Sequence, residues 1–282
     1  MKKIVGLLLA VLAFAGCAQQ EKKINVRWAT FNVRYDNPAD SLNNWKYRKD
    51  RVCRFIRERQ LDVVGTQEVL HNQFEDLKAA LPEYAAIGVG RDDGKTAGEY
   101  AAIFYRKDKY EALDSNTFWL SESPDSVGKM GWDAVCVRIA TWAKLKDKET
   151  GKVFMAVNTH FDHIGTEARR QSALLIIRKI KEIVGEQPAV VTGDFNVNDQ
   201  SEAYKTITTN EFVMKDARRI AAKVTGVDYT FHDFDRYAMK DREKIDFIFV
   251  TPHIEVLSSD VPAEVPEALL SDHNPEVVEL VF

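Results

Sequence analysis

Val190-Val-Thr-Gly-Asp-Phe-Asn-Val-Asn-Asp199 is the stretch on which the fold turns. Ala189, Val190 and Val191 make a short apolar, mostly β-branched run after Pro188, which suits a strand covered on both faces. Gly193 ends the run. Asp194 and Asn196 lie two residues apart, so in extended geometry they project to one side while Phe195 turns into the packing. Taken alone, Gly-Asp-Phe-Asn is equally well an Asx turn.

Working outward, the helix expected over Glu167–Val184 precedes this strand. It carries Ala173, Ile176, Ile177, Ile180 and Val184 on one stripe and has Gly185 as its stop. Before it come β-rich runs at Tyr84–Val89, Ala101–Tyr105, Tyr110–Trp119, Val135–Leu145 and Val153–Thr159. Arg91–Gly98 reads as a Gly- and Asp-rich rim loop, and Lys148–Gly151 as a hairpin turn. Nearer the N-terminus, strands over Ile24–Asn32 and Leu61–Gln67 alternate with helices over Trp45–Arg59 and Asn72–Leu81. In the first of these helices Val52, Phe55 and Ile56 face inward and the lysines and arginines face solvent. After Asp199 follow a helix near Ser201–Thr208, a loop with Tyr229-Thr-Phe-His232, and strands at Ile245–Val250, Ile254–Leu257 and Val277–Phe282. Several runs are too apolar for a sheet wetted on one face, so the order allows two sheets face to face with helices outside.

Residues 1–16 have the pattern of a leader: Lys2 and Lys3, an apolar run from Ile4 to Phe14 too short to span a bilayer, then small residues before Cys17. This resembles a bacterial lipoprotein signal. The expectation is a lipid anchor on Cys17, a tether over 17–23, a catalytic domain over 24–282, and a lipid-anchored location in the bacterial cell envelope. Without the leader's two lysines the chain has 37 basic and 43 acidic residues, which is no nucleic-acid footprint, although a local patch can hide inside an acidic total, so nucleic acid stays open as a partner without being indicated by charge. Cys53 and Cys136 read as small buried hydrophobes, and no Cys/His spacing suggests zinc.

Polar residues gather at the expected strand ends: Asn32, Glu68, His160, Asp194 with Asn196, Asp246, and Asp272 with His273. Each singly could cap a helix, start a turn or sit satisfied in the core. Together they supply what phosphate-ester hydrolysis needs. Hard oxygen ligands such as Asn32, Glu68 and Asp272 suit Mg²⁺ or Mn²⁺, and a histidine beside a carboxylate can take a proton from water.

These motifs resemble those of the endonuclease/exonuclease/phosphatase superfamily, over essentially all of 24–282. They occur in the family's order: Thr30-Phe-Asn32, Gln67-Glu68, Asn158-Thr-His160, Thr192-Gly-Asp-Phe-Asn196, Ile245-Asp-Phe-Ile-Phe249 and Ser271-Asp-His273. The resemblance implies a four-layered α/β sandwich, two mainly antiparallel sheets packed face to face with helices outside, and a site at one edge of the sheets. It implies Glu68 as the principal metal ligand, with Asn32 and Asp272 assisting. His273 is then the general base, held by Asp246, and Asp194 and Asn196 position water and a phosphoryl oxygen. His160 faces the other side of the phosphate and Glu99 matches the glutamate that orients it, while Arg138 is a candidate phosphate contact.

Where deoxyribonucleases and inositol-phosphate phosphatases carry Asp-Arg, this chain has Asp246-Phe247, closer to the sphingomyelinase and deadenylase type. The expectation is a monomeric metal-dependent phosphoesterase, first a phosphodiesterase. Open alternatives are a nuclease, a lipid phosphodiesterase, a sugar or inositol phosphate phosphatase, and an inactive binding protein on the same scaffold.

Overall fold

The computed structural model describes residues 22–185, 187–209, 214–263 and 268–282; the leader and Cys17 lie outside them. The elements in chain order are β1 (Asn25–Asn32), α1 (Trp45–Glu58), β2 (Val63–Val69), α2 (His71–Ala80), β3 (Tyr84–Ile87), β4 (Tyr100–Arg106), β5 (Tyr110–Trp119), β6 (Ile139–Asp147), β7 (Val153–His160), α3 (Thr166–Val184), β8 (Ala189–Asp194), α4 (Glu202–Thr209), β9 (Lys215–Asp216), α5 (Ala217–Ile220), β10 (Lys223–Gly226), β11 (Asp246–Val250), β12 (Glu255–Val261) and β13 (Glu276–Val281).

Two mixed sheets result, one of seven strands ordered β10-β12-β13-β1-β2-β4-β3 and one of six ordered β5-β6-β7-β8-β11-β9. Most neighbours are antiparallel. β1 runs parallel to β2 and β7 to β8, because α1 and α3 are the crossovers that join them. Residues of α1 and α2 (Val52, Ile56, Phe74, Leu77) pack on Ala29, Phe31, Val64 and Phe104 of the larger sheet. Residues of α3 and α4 (Ala173, Ile176, Ile180, Tyr204, Ile207) pack on Met155, Val157, Val191, Phe247 and Phe249 of the smaller one. Between the sheets lie Trp28, Val63, Phe154, Ala156, Val190, Ile248 and Val278. The four layers are those of the expected sandwich.

The two-residue side-chain period places the site. Successive inward positions run Trp28, Thr30, Asn32 on β1; Val63, Gly65, Gln67 on β2; Ala156, Asn158, His160 on β7; and Val190, Thr192, Asp194 on β8. The space between the sheets therefore grades from apolar to polar along these four strands. At the midpoint the sheets are joined by Asn158, whose Oδ1 accepts from Gln67 (2.6 Å) and Thr192 (3.1 Å) and whose Nδ2 donates to the carbonyls of Thr66 (2.8 Å) and Ala102 (2.9 Å). Gly65 makes room for this bridge: a Cβ there would lie 2.2 Å from Thr192 Oγ1 and 2.5 Å from Asn158 Oδ1.

Three expectations need correction. β6 begins at Ile139 rather than Val135, because the N–H groups of Val135 and Cys136 donate to Asp162 Oδ2 (both 3.1 Å) instead of to a strand. Cys136 is accordingly half-buried, not a core hydrophobe. On α1, Arg48 does not face solvent. It is fully buried and donates to the carbonyls of Val33 (2.8 Å), Arg34 (3.3 Å), Asn43 and Leu270 (2.6 Å), tying the helix to the two loops that flank the polar end. The short elements β9, α5 and β10 carry no pattern that the sequence reading picked out.

Candidate active site

At the polar end of the sandwich a cavity of about 480 Å³ is lined by Glu68, Glu99, Arg138, His160, Asp194, Asn196, Asp272 and His273, with Arg34 and Arg91 among the residues around them. Asn32 and Asp246 lie just beneath, both buried. All the candidate side chains named from the described sequence are thus brought together.

Asp194 is the hub. It ends β8, with His160 beside it on β7 and Asp246 opposite it on β11. Its Oδ1 accepts the N–H of Asn196 (2.9 Å) and its Oδ2 accepts Asn32 Nδ2 (2.9 Å). The ring nitrogens of His160 and His273 approach Oδ2 to 3.6 and 3.7 Å. His273 Nδ1 pairs with Asp246 Oδ2 at 2.8 Å, the orienting contact expected. Asn196 Nδ2 donates to His160 Nε2 (3.0 Å) and to the Phe161 carbonyl (3.0 Å), which leaves the His160 proton on Nδ1, 3.7 Å from Glu99 Oε2. Glu99 is beside His160 as expected, but its hydrogen bond comes from Arg91 Nη1 (2.6 Å).

Charge in this space is poorly balanced. Burial, then the neighbouring Asp246, raises Asp194 to about 7. Burial also raises Asp272, to about 6, with Glu68 adding to it and His273 opposing it. Burial would lower His273, but Asp246, Asp194 and Asp272 outweigh it and bring the ring to about 10. Burial lowers His160 well below the ordinary histidine value, and Arg138 and Arg91 reinforce this, so its ring is neutral. The carboxylates outnumber what the site can neutralise, and a divalent cation is the group that would relieve them.

The donor set fits such an ion. One oxygen of Glu68, one of Asp194 and one nitrogen of His273 lie within 4.8 Å of one another, a grouping that shares only Glu68 with the expected ligands Asn32, Glu68 and Asp272. Glu68 is offered to the cavity while its oxygens accept from Asn32 Nδ2 (3.0 Å) and the Tyr35 N–H (3.2 Å). Asn32 has its own Oδ1 engaged by the Arg34 N–H (3.0 Å), so in this form it orients Glu68 and Asp194. Asp272 is linked to Glu68 through Arg34, which reaches them at 3.6 and 3.9 Å.

Sequence reasoning missed Arg34, Arg91 and the group Cys136, Asp162 and His163. The ligand atoms of that last group also lie within 4.8 Å of one another. Asp162 is saturated, however, by the N–H groups of Val135, Cys136, Ile164 and Gly165, and Arg138 lies against it. Arg138, 5% exposed and just ahead of β6, donates Nη2 to His163 Nδ1 (3.2 Å), while its Nε and Nη1 have no hydrogen-bond partner among the described residues.

The Endonuclease/Exonuclease/phosphatase family profile matches residues 29–273. The chain belongs to this family. An endonuclease/exonuclease/phosphatase from Bacteroides vulgatus is 79% identical, covering 91% of this chain and 98% of that one at a TM-score of 0.91. A mannosyl-6-phosphatase from Bacteroides thetaiotaomicron is 40% identical, covering 91% of this chain and 100% of that one at 0.84. Drosophila melanogaster nocturnin is 26% identical over 181 residues, 60% of this chain but only 27% of nocturnin. The chain thus spans about a quarter of that curated relative. Family membership gives the fold and supports a hydrolase of the phosphoesterase type.

Proposed function

We propose that the protein is a Mg²⁺- or Mn²⁺-dependent phosphomonoesterase acting on phosphorylated sugars. The observation that carries this is Arg138, buried, with Nε and Nη1 making no hydrogen bond among the described residues and only distant carboxylates near them (Asp162 at 3.8 Å and Glu99 at 4.0 Å), at the wall of a cavity that Arg91 and Arg34 also line. Once a divalent ion offsets the carboxylates, the arginines at this cavity suit the dianion of a monoester, and the volume suits a sugar phosphate rather than a polymer. The 40% identical mannosyl-6-phosphatase supports the same class and shifts the balance away from the diester expected first.

Glu68 and Asp272, with Asn32 orienting, would hold the metal, which supplies Lewis-acid polarisation of the phosphoryl oxygen. Asn196 and Arg138 orient the ester from the His160 side. Asp246 fixes the His273 ring so that Nε2 points toward Asp194 and the cavity. In that position the ring can hold the proton lost by water, provided the surrounding negative charge is offset so that the ring starts neutral. Asp194, bonded by Asn32 and Asn196, shapes the water position between the two histidines.

The test is phosphate release from a panel of hexose 6-phosphates, inositol phosphates, sphingomyelin and DNA, with Mg²⁺ or Mn²⁺ and with chelator. Sugar monoesters should be cleaved best, chelator should abolish release, and Glu68→Gln should weaken metal binding without loss of fold. Hydrolysis that persists in excess chelator would sink the metal role of Glu68. Cleavage confined to DNA or sphingomyelin would sink the monoester assignment.

A further inference from the structure

Arg34 stands two residues beyond Asn32 in a left-handed backbone conformation, φ 58°. Its guanidinium is gripped by Asp40, Nε to Oδ2 at 3.0 Å and Nη2 to Oδ1 at 3.2 Å, and Asp40 is itself 5% exposed. The Tyr35 ring lies under the guanidinium carbon at 4.4 Å. The backbone is pinned as well, since the Arg34 N–H donates to Asn32 and its carbonyl accepts from Gln73 Nε2 (2.9 Å) and Arg48 Nη2 (3.3 Å). A cation fixed on so many sides cannot swing away cheaply. Nη1, the nitrogen Asp40 does not hold, faces the site 3.9 Å from Glu68, while Nε, already donated to Asp40, lies 3.6 Å from Asp272; these are the two carboxylates assigned to the metal. Among the described residues Nη1 makes no hydrogen bond, so it is available to an arriving oxyanion.

We propose that Arg34 is a fixed internal cation that makes metal and phosphoryl binding interdependent: the metal is held weakly alone and tightly once an oxyanion lies against Arg34. This rests on the phosphoesterase assignment above and deepens it. Without an anion, the guanidinium shares Glu68 and Asp272 and repels a second cation. An oxyanion placed between Arg34 and the metal converts that repulsion into two attractions. Because the coupling is reciprocal, metal must raise phosphate affinity by the same factor that phosphate raises metal affinity.

The experiment is calorimetric titration of Mn²⁺ into the purified protein, with and without saturating inorganic phosphate, for wild type, Arg34→Gln and Arg34→Lys. A unit charge about 4 Å from the ligand oxygens, acting on a divalent ion even at water-like dielectric, is worth roughly a factor of 10. Arg34→Gln should therefore bind Mn²⁺ roughly 10-fold tighter without phosphate, and the enhancement given by phosphate should shrink severalfold. Arg34→Lys should stay close to wild type. If removing one member of the buried pair unfolds the protein, Arg34→Gln combined with Asp40→Asn removes both charges and must still tighten Mn²⁺ binding, by less than Arg34→Gln because Asp40 lies farther from the metal ligands on the other side of the guanidinium. Unchanged or weaker Mn²⁺ affinity in the Gln variants overturns the proposal, as does equal tightening in Arg34→Lys. Failure of wild type to bind Mn²⁺ at all would overturn the metal-dependent assignment together with it, so the two failures are distinguishable.

Discussion

Removing His273 and Asp246 singly and together tests whether they act as one unit. The Nδ1–Oδ2 contact is 2.8 Å, both residues are at most 3% exposed, and the other Asp246 oxygen has no hydrogen-bond partner among the described residues. The Asp246 carboxylate therefore hydrogen-bonds through one oxygen to the ring it holds, and otherwise acts through its charge on Asp194. Loss of a general base costs roughly 10²- to 10⁴-fold in turnover. Loss of a hydrogen bond to a charged partner is worth about 1.5–3 kcal/mol, or roughly 10- to 10²-fold if all of it is felt in the transition state. His273→Ala should fall in the first range and Asp246→Ala in the second. The double variant should be scarcely worse than His273→Ala, because the orienting carboxylate then has nothing to orient. The assay is kcat/KM on the best sugar phosphate, with circular dichroism and melting confirming that each variant is folded. Losses that multiply in the double variant, or near-native turnover in His273→Ala, would refute the base assignment and make His160 the next candidate.

Two further outcomes follow from the same geometry. Asp194 and Asp272 rise from 3.8 to about 7 and about 6 on folding and His273 from 6.5 to about 10, while burial lowers His160 and His232, which opposes the gain below about pH 7 but not above it; above that pH these groups hold more protons in the metal-free native state than in the unfolded chain. Stability of the chelated protein should then fall as pH rises from about 7 to about 9, with saturating Mn²⁺ flattening the trend; a melting temperature that climbs with pH over that range would contradict it. Gly65→Ala would force a Cβ to 2.2 Å from Thr192 Oγ1 and split the Asn158 bridge; overpacking alone costs about 1–3 kcal/mol, and a melting temperature lowered by less than about 2 °C would show that the sheets can yield there.

Legibility in the sequence tracked how local the cause was. The strand-end polar residues were readable because a two-residue period and a closing Gly or Asx fix which way a side chain leaves a strand, as at Asp194 and His160. Long helices with a clear stripe were readable too. Arg48 was not, since its helical position marks it as solvent-facing and its four carbonyl partners come from loops at 33–34, 43 and 270. Arg34 and Asp40 lie between the strand and helix expected around them, and their pairing depends on a left-handed turn that no pattern announces. Asn158 and Gln67 were seen as motif letters. Their work as the polar bridge between the sheets appears only when both sheets are in place.

Three of the nine non-glycine residues with positive φ among the described residues belong to the site. Arg34, Glu68 and Asn196 are all non-glycine residues in the left-handed region, with φ of 58°, 61° and 50°. For Glu68 the reason is geometric. Strict alternation along β2 turns Val63, Gly65 and Gln67 toward the smaller sheet and would turn Glu68 toward α1 and α2. The register of β2 on β4 shifts between Thr66 and Val69, so an extra residue is accommodated there and Glu68 is swung out of the ladder toward the cavity. Asn196 does the same after β8: its N–H returns to Asp194 while its side chain reaches His160 on the neighbouring strand. Each such residue costs about 1–3 kcal/mol, which the dry core between the sheets must over-determine. The apolar half of the sandwich and the strained polar half are thus one design: the first holds the strands rigid, so that the second can turn carboxylates and an arginine inward at a point where regular strands would aim them elsewhere.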